Sequence, residues 1–378
     1  MNLATIAAKR GALQAASLLL MGGAIALPLP AAALPVLMAQ AQPNNPRLNE
    51  LLRQGREQVD AGNVTGAIAL YEEAATLAPN NARIFSGIGF LQARQGNHRA
   101  AVTAFERAVQ LDANNAAFYY ALGFSRANLD DNAGAAQAYR RATELDSNNV
   151  QAFLGLGVVL SRQGDFEGAV RAYQQVATRQ PNNAQIQEAI GTAYLQQQRY
   201  PQAVTALQQA ARLAPRDGDV QLNLAIALLN SGNQTEGLAA MERAAALEPR
   251  NGQIYLKMGD IFRAQGNAER ALAAYQRAVG LQPNLIEAHQ AMGELLLERE
   301  DYLRAIVTYR EVVELAPQDA DAHFQLGVAL QGRNRDEEAV AAYQAARDLY
   351  EQQGNTAGVE RTREALRELS PNRSRPGD

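Results

Sequence analysis

Small, apolar and polar positions recur along this chain with a period of 34 residues, without insertion, from Leu48 to Gln353. The units begin at 48, 82, 116, 150, 184, 218, 252, 286 and 320. A period of this length means stacked supersecondary units, and it decides the architecture before any local reading. Within each unit, packing positions fall at slots 4, 7, 8 and 11, which are i, i+3, i+4 and i+7 of one helical face. Slots 20, 24 and 27 are i, i+4 and i+7 of a second helix. Between the two lie breakers such as Gln95-Gly96-Asn97 and Gln163-Gly164-Asp165. The pattern therefore predicts nine helical hairpins and an all-α fold.

The register is carried by four slots. The eighth holds Gly55, Gly89, Gly123, Gly157, Gly191, Ala225, Gly259, Gly293 and Gly327, and the twentieth holds alanine from Ala67 to Ala339 except at Gly237. The twenty-fourth holds Tyr71, Phe105, Tyr139, Tyr173, Leu207, Met241, Tyr275, Tyr309 and Tyr343. Proline fills the thirty-second at Pro79, Pro181, Pro215, Pro249, Pro283 and Pro317. This pattern resembles the tetratricopeptide repeat family over all nine units. Slot 4 departs from it: the expected large aromatic survives as Phe85, Tyr119, Phe153 and Tyr255, with Leu51, Gln187, Gln221, His289 and His323 elsewhere. The resemblance implies a right-handed α-α superhelix whose concave wall is lined by first helices, with slots 2, 5, 9, 12 and 13 facing the groove.

Read through those slots, the second to seventh units offer Phe90, Tyr120, Phe124, Leu154, Val158, Leu195, Leu222, Ile226, Leu229 and Leu256. Polar edges such as Arg83, Arg94, Gln151, Arg162 and Asn230 flank this apolar strip, and Asp260, Glu287, Glu294 and Glu298 give it an acidic end. An exposed strip of this kind marks an interaction surface, with Phe90, Tyr120 and Phe124 as the expected anchors. The alternative is that these side chains pack between units. Some family members hold a C-terminal carboxylate with lysine and asparagine. Here the corresponding positions are Leu52, Arg56, Ser86, Phe90, Tyr120 and Phe124, so that clamp is missing. An extended or helical segment with apolar side chains, and a basic flank for the acidic end, fits better.

Two further details test the register. The sixth unit carries Ala225 where glycine is the rule and Gly237 where alanine is the rule, as if one methyl group had been exchanged across a helix crossing. Slot 34 is Asn81, Asn115, Asn149, Asn183, Asp217, Asn251 and Asp319, all side chains able to cap the following helix.

Outside the repeats, residues 1–41 carry Lys9 and Arg10 and then a long apolar stretch, closing on Ala39-Gln40-Ala41. That is the pattern of a secretory signal peptide. Its alternative is an uncleaved anchor over 11–37, which Pro28, Pro30 and Pro35 disfavour. Removal would take the formal net charge from −4 to −6. The expected location is a periplasm, the lumen of an internal membrane system or the exterior, with the membrane touched only through an uncleaved N-terminal segment. Residues 42–47 read as a short linker, 354–369 as a capping helix with Val359, Thr362, Leu366 and Leu369 inward, and 370–378 as a polar, disordered tail.

The chain has no cysteine, which excludes disulfides and thiolate metal sites. Its acidic balance argues against nucleic acid. His289 and His323 occupy one packing slot a full period apart, and His98 lies at a turn, so metal binding is not expected; nor is a cofactor. Gly87-Ile88-Gly89 and Gly155-Leu156-Gly157 lack the strand-to-helix context of a phosphate loop. The reading is a non-enzymatic scaffold for a protein or peptide ligand. The alternatives are a recruiting subunit of a separate enzyme or assembly machine, or a self-assembling structural protein.

Overall fold

The computed structural model describes residues 45–369, and all of its elements are helices. The hairpins are α1 (Pro46–Asp60) with α2 (Val64–Leu77), α3 (Ala82–Arg94) with α4 (His98–Leu111), and α5 (Ala116–Ala127) with α6 (Asn132–Leu145). Next come α7 (Val150–Arg162) with α8 (Phe166–Arg179) and α9 (Ala184–Gln196) with α10 (Tyr200–Leu213), then the helices α11 (Gly218–Asn230) and α12 (Gln234–Leu247). The last are α13 (Gly252–Ala264) with α14 (Ala268–Leu281), α15 (Ile286–Glu298) with α16 (Tyr302–Leu315), and α17 (Ala320–Gln331) with α18 (Asp336–Gln352), followed by α19 (Thr356–Leu369). They form two compact bodies, 45–237 and 238–369, the division falling within α12. The expected signal segment 1–41, the start of the linker and the tail 370–378 lie outside the described residues. The last two linker positions are already helical, because Asn45 caps α1 by accepting from the Leu48 amide at 3.0 Å.

Why the slots carry the residues they do is visible in the packing. At every slot 8 glycine of the first body, the missing methyl leaves room for the slot 24 side chain of the same hairpin. A Cβ on Gly55 would stand 2.6 Å from Tyr71 Cε2, and one on Gly123 2.9 Å from Tyr139 Cδ1. The second body repeats this with Gly259 and Tyr275, Gly293 and Tyr309, and Gly327 and Tyr343. Tyr71, Tyr139, Tyr275 and the slot 27 alanines are fully buried, so small and large side chains interlock at interior density. Some rings also bind one repeat to the next: Tyr139 lies against Gly123 of its own hairpin and Gly155 of the following one.

Local chemistry fixes the ends. Asn81, Asn149, Asn183, Asp217, Asn251 and Asp319 each accept from a backbone amide in the first turn of the next helix. Asn115 does not; its amide donates to Asp112 instead. Between the helices of every hairpin one residue takes a left-handed backbone. It is glycine at Gly62, Gly96, Gly164, Gly232 and Gly266, but Asp130, Gln198, Glu300 and Asn334 in the other four. His289 and His323 bond through Nε2 to the Pro283 and Pro317 carbonyls at 2.8 and 3.1 Å, tying the aromatic slot to the preceding loop.

One expectation needs correction. The nearest neighbours of a methyl on Gly237 are all in Leu229: Cγ at 2.6 Å, Cδ2 at 2.9 Å and the backbone nitrogen at 3.1 Å. The partner is thus Leu229, one turn beyond Ala225, and the paired departures are not a direct exchange. Gly237→Ala is still expected to overpack, by about 1 kcal/mol, since the backbone nitrogen cannot move aside. A melting temperature equal to or above wild type would contradict this. In α19, Val359 and Thr362 are buried as expected, and the exposed Arg361 reaches back over the last hairpin. Its guanidinium lies 4.1 Å from the centroid of the Phe324 ring and donates to Asp321 Oδ1 at 2.8 Å and Tyr350 Oη at 2.6 Å. This cation–π and ion-pair contact seals the last hairpin.

Candidate ligand wall of first helices

First helices of adjacent repeats approach one another, α3 with α5, α5 with α7 and α9 with α11 in the first body, and α13 with α15 in the second. No two second helices of adjacent repeats come as close among the described residues. The first helices therefore line the inner side of each stack.

The structure places most of the anticipated strip on this side but not in the open. Phe90, Tyr120, Phe124, Val158, Leu195, Leu222 and Ile226 are 3–7% exposed, and Leu256 in the second body is 4% exposed. The chain's own side chains cover them. His98 packs its ring edge against Phe124 at 5.9 Å, and Tyr120 tilts against Tyr139 at the same separation. The expectation of exposed aromatic anchors is thus corrected: Phe90, Tyr120 and Phe124 are enclosed by the chain's own side chains. Leu154 and Leu229 remain half-buried and can be touched from outside.

Cations of the chain itself sit among three of the carboxylates at the acidic end. Glu294 and Glu298 are exposed, yet both already bind Arg263, at 2.8 and 2.5 Å. Asp260 accepts from the Tyr275 hydroxyl at 3.0 Å and lies 3.6 Å from the Lys257 ammonium. Burial raises its carboxyl, opposed by that ammonium and hydroxyl. These carboxylates spend their charge within the second body.

A different carboxylate is without such a partner. Glu188, in slot 5 of α9, is half-buried and accepts from the Asn223 side-chain amide of α11 at 3.1 Å. Burial pushes its carboxyl up to about 7, helped by the Asp217 and Asp219 carboxylates and resisted by the Asn223 bond. Sequence reasoning passed over Glu188, although the signal was there: slot 5 otherwise reads Leu52, Ser86, Tyr120, Leu154, Leu222, Leu256, Gln290 and Phe324. A measurable consequence follows from its titration. With the folded value above that of the unfolded chain, folding favours the protonated acid. That contribution is complete below about pH 4.3 and is lost as pH rises through the folded value of about 7. Glu188→Gln is expected to flatten this decline. Unfolding free energies of the two proteins that run parallel between pH 4 and 8 would contradict it.

The sequence matches models of the tetratricopeptide repeat over 52–116, 91–150, 120–184, 154–220, 188–246 and 222–286, and further repeat models over 293–332 and 321–352. The chain belongs to the tetratricopeptide repeat family. A TPR repeat-containing protein of Picosynechococcus sp. (strain ATCC 27264 / PCC 7002 / PR-6) is 48% identical over 46 residues, 12% of each chain. The chain thus spans about an eighth of the curated relative it matches. Among solved structures, the C-terminal part of a TPR repeat-containing protein from Cytophaga hutchinsonii is 15% identical, with 64% of this chain and 98% of that one covered at a TM-score of 0.53. YrrB, described as a TPR protein with an unusual peptide-binding site, is 22% identical over 50% of this chain and 98% of its own, with a TM-score of 0.43. MamA is 26% identical over 43% of this chain and 95% of its own, with a TM-score of 0.41.

Among the described residues no group of three His, Cys, Asp or Glu side chains is arranged to hold a metal ion, and no helix is long and apolar enough to cross a membrane.

Proposed function

We propose that this tetratricopeptide repeat protein is an exported, non-enzymatic scaffold that holds a peptide or protein segment against the inner wall of its first helices. The observation that carries the reading lies in the first body. There the wall helices α7, α9 and α11 leave Leu154, Glu188 and Leu229 half-buried, while the apolar side chains around them are enclosed. Such a floor, apolar but already packed, accepts an extended segment without rearranging, which keeps the entropic cost of binding low. Export rests on residues 1–41, and N-terminal sequencing of the protein recovered from outside the cytoplasm tests it; a start at Met1 would refute cleavage.

Selection of a random peptide library on the full chain tests the binding. Peptides that bind wild type and are lost from a Leu154→Asp/Leu229→Asp variant of unchanged melting temperature are the expected result. Selection of no peptide, or equal binding by the variant, would refute the wall as the site.

A further inference from the structure

We propose that the exposed face of α16 is the contact through which two copies of this chain pair as an antiparallel dimer. This face belongs to a second helix, away from the inner wall, and its pairing is independent of whether a peptide binds there.

Val307 and Leu303 are 66% and 60% exposed, the most exposed large apolar side chains among the described residues. They stand one turn apart on α16, so they form a single patch. Nothing like them occurs at these slots elsewhere in the repeat. At slot 18 the other eight units hold Thr, Arg, Ala, Pro or Glu, and at slot 22 they hold Ala, Thr, Gln or Arg. Neither side chain serves the hairpin, whose slot 20 Ala305 and slot 24 Tyr309 are buried on the opposite face of the helix. Two large apolar side chains held together in water, where the fold otherwise uses polar or small ones, mark a surface made to be covered.

The charges beside the patch favour a second copy as its cover. Arg304 and Glu311 are both exposed and lie two turns apart on one flank of this face, the base towards the helix start and the acid towards its end. The Arg304 guanidinium pairs with Asp301 of its own turn at 3.4 Å, and Glu311 makes no ion pair among the described residues. A face that is basic at one end and acidic at the other complements itself when turned end for end. A two-fold axis beside Val307 does this: Val307 meets its own copy, and each Arg304 stands by the Glu311 of the other chain. Leu303 then packs on the apolar stem of the other copy's Arg310, whose guanidinium Glu338 of α18 holds at 3.0 Å. Ala273 of α14 and Ala341 of α18 occupy slot 22 on either side, and their small side chains leave room for the incoming helix. So small an apolar centre predicts a reversible, concentration-dependent dimer.

Sedimentation equilibrium of the full chain over a concentration series tests this. A monomer–dimer equilibrium is expected. Leu303→Asp/Val307→Asp should weaken it by about a hundredfold at unchanged melting temperature, through the apolar area no longer buried. Arg304→Glu alone and Glu311→Arg alone should each weaken it by about tenfold, since either sets like charges together twice in the dimer. An equimolar mixture of those two single variants should dimerise far more than either does alone, because both contacts of the mixed pair are again opposite in sign. That mixture carries only exposed charge reversals, so it reads the contact even where the aspartate variant melts early. A chain that is monomeric at every concentration would overturn the proposal, whatever else binds the patch. A dimer indifferent to the aspartates, or a mixture no better than its components, would overturn it equally.

Discussion

Tyr139→Ala is expected to destabilise the body 45–237 by about 3–5 kcal/mol, the cost of emptying a large buried aromatic site. The ring is fully buried and touches two repeats at once, lying against Gly123 and Gly155. Its loss therefore opens a cavity within one hairpin and loosens the contact to the next. In a repeat protein stability is close to a sum of unit and interface terms. The damage should accordingly centre on α5, α6 and α7 rather than spread evenly. Hydrogen exchange resolved by peptide reads this as faster exchange in those helices. Tyr139→Phe separates packing from hydrogen bonding, because the Tyr139 hydroxyl is buried without a partner. Removing it is expected to be neutral or stabilising by up to about 1 kcal/mol. A Phe variant as damaged as the Ala variant would show that the hydroxyl, not the ring, holds the repeats together.

The second large effect is of the opposite kind, too much volume instead of too little. Gly259→Ala places a methyl against Cε1, Cδ1 and Cζ of Tyr275, all closer than 3.0 Å. The ring cannot swing clear. It is fully buried, and its hydroxyl is held by Asp260, the residue next to the glycine. Overpacking of about 1–3 kcal/mol is expected, towards the upper end because the ring is pinned at both edges. Gly280→Ala in α14 is the matched control. Nothing lies within 4 Å of its added methyl and the backbone is helical, so it should stabilise by about 0.5–1 kcal/mol. Thermal melts of the three proteins check both signs. A Gly259→Ala protein as stable as wild type would mean that slot 8 is glycine for some reason other than the ring beside it.

These two effects also show what sequence reading can reach. The slot 8 glycine and the slot 24 ring are each other's reason, and their recurrence in seven of the nine units makes that pairing visible without coordinates. The side on which a wall residue falls was equally legible, since helical periodicity sets direction. What periodicity does not carry is the distance to the next helix. Phe124, expected in the groove, packs against His98, which belongs to the preceding hairpin and to a different slot. The Arg263 pairs with Glu294 and Glu298 span 31 and 35 residues, about one period, and opposite charges in adjacent wall slots could have announced them. An amphipathic pattern sets the face on which Arg361 lies but not its reach: a long arginine side chain can fold back on a nearby ring, and this one does so onto Phe324. A reading of apolar residues alone passes over Glu188, a single acid in a mostly apolar register.

On the proposed function, hairpins locked by small-to-ring contacts present their first helices as a wall for another polypeptide. Photo-crosslinking of selected peptides to the full chain tests this most directly, with the photoreactive residue placed in turn at Leu154, at Leu229 and at the exposed second-helix positions Glu72 and Arg171. Crosslinks from Leu154 and Leu229 and none from Glu72 and Arg171 are the expected result. Crosslinks confined to Glu72 and Arg171 would contradict it.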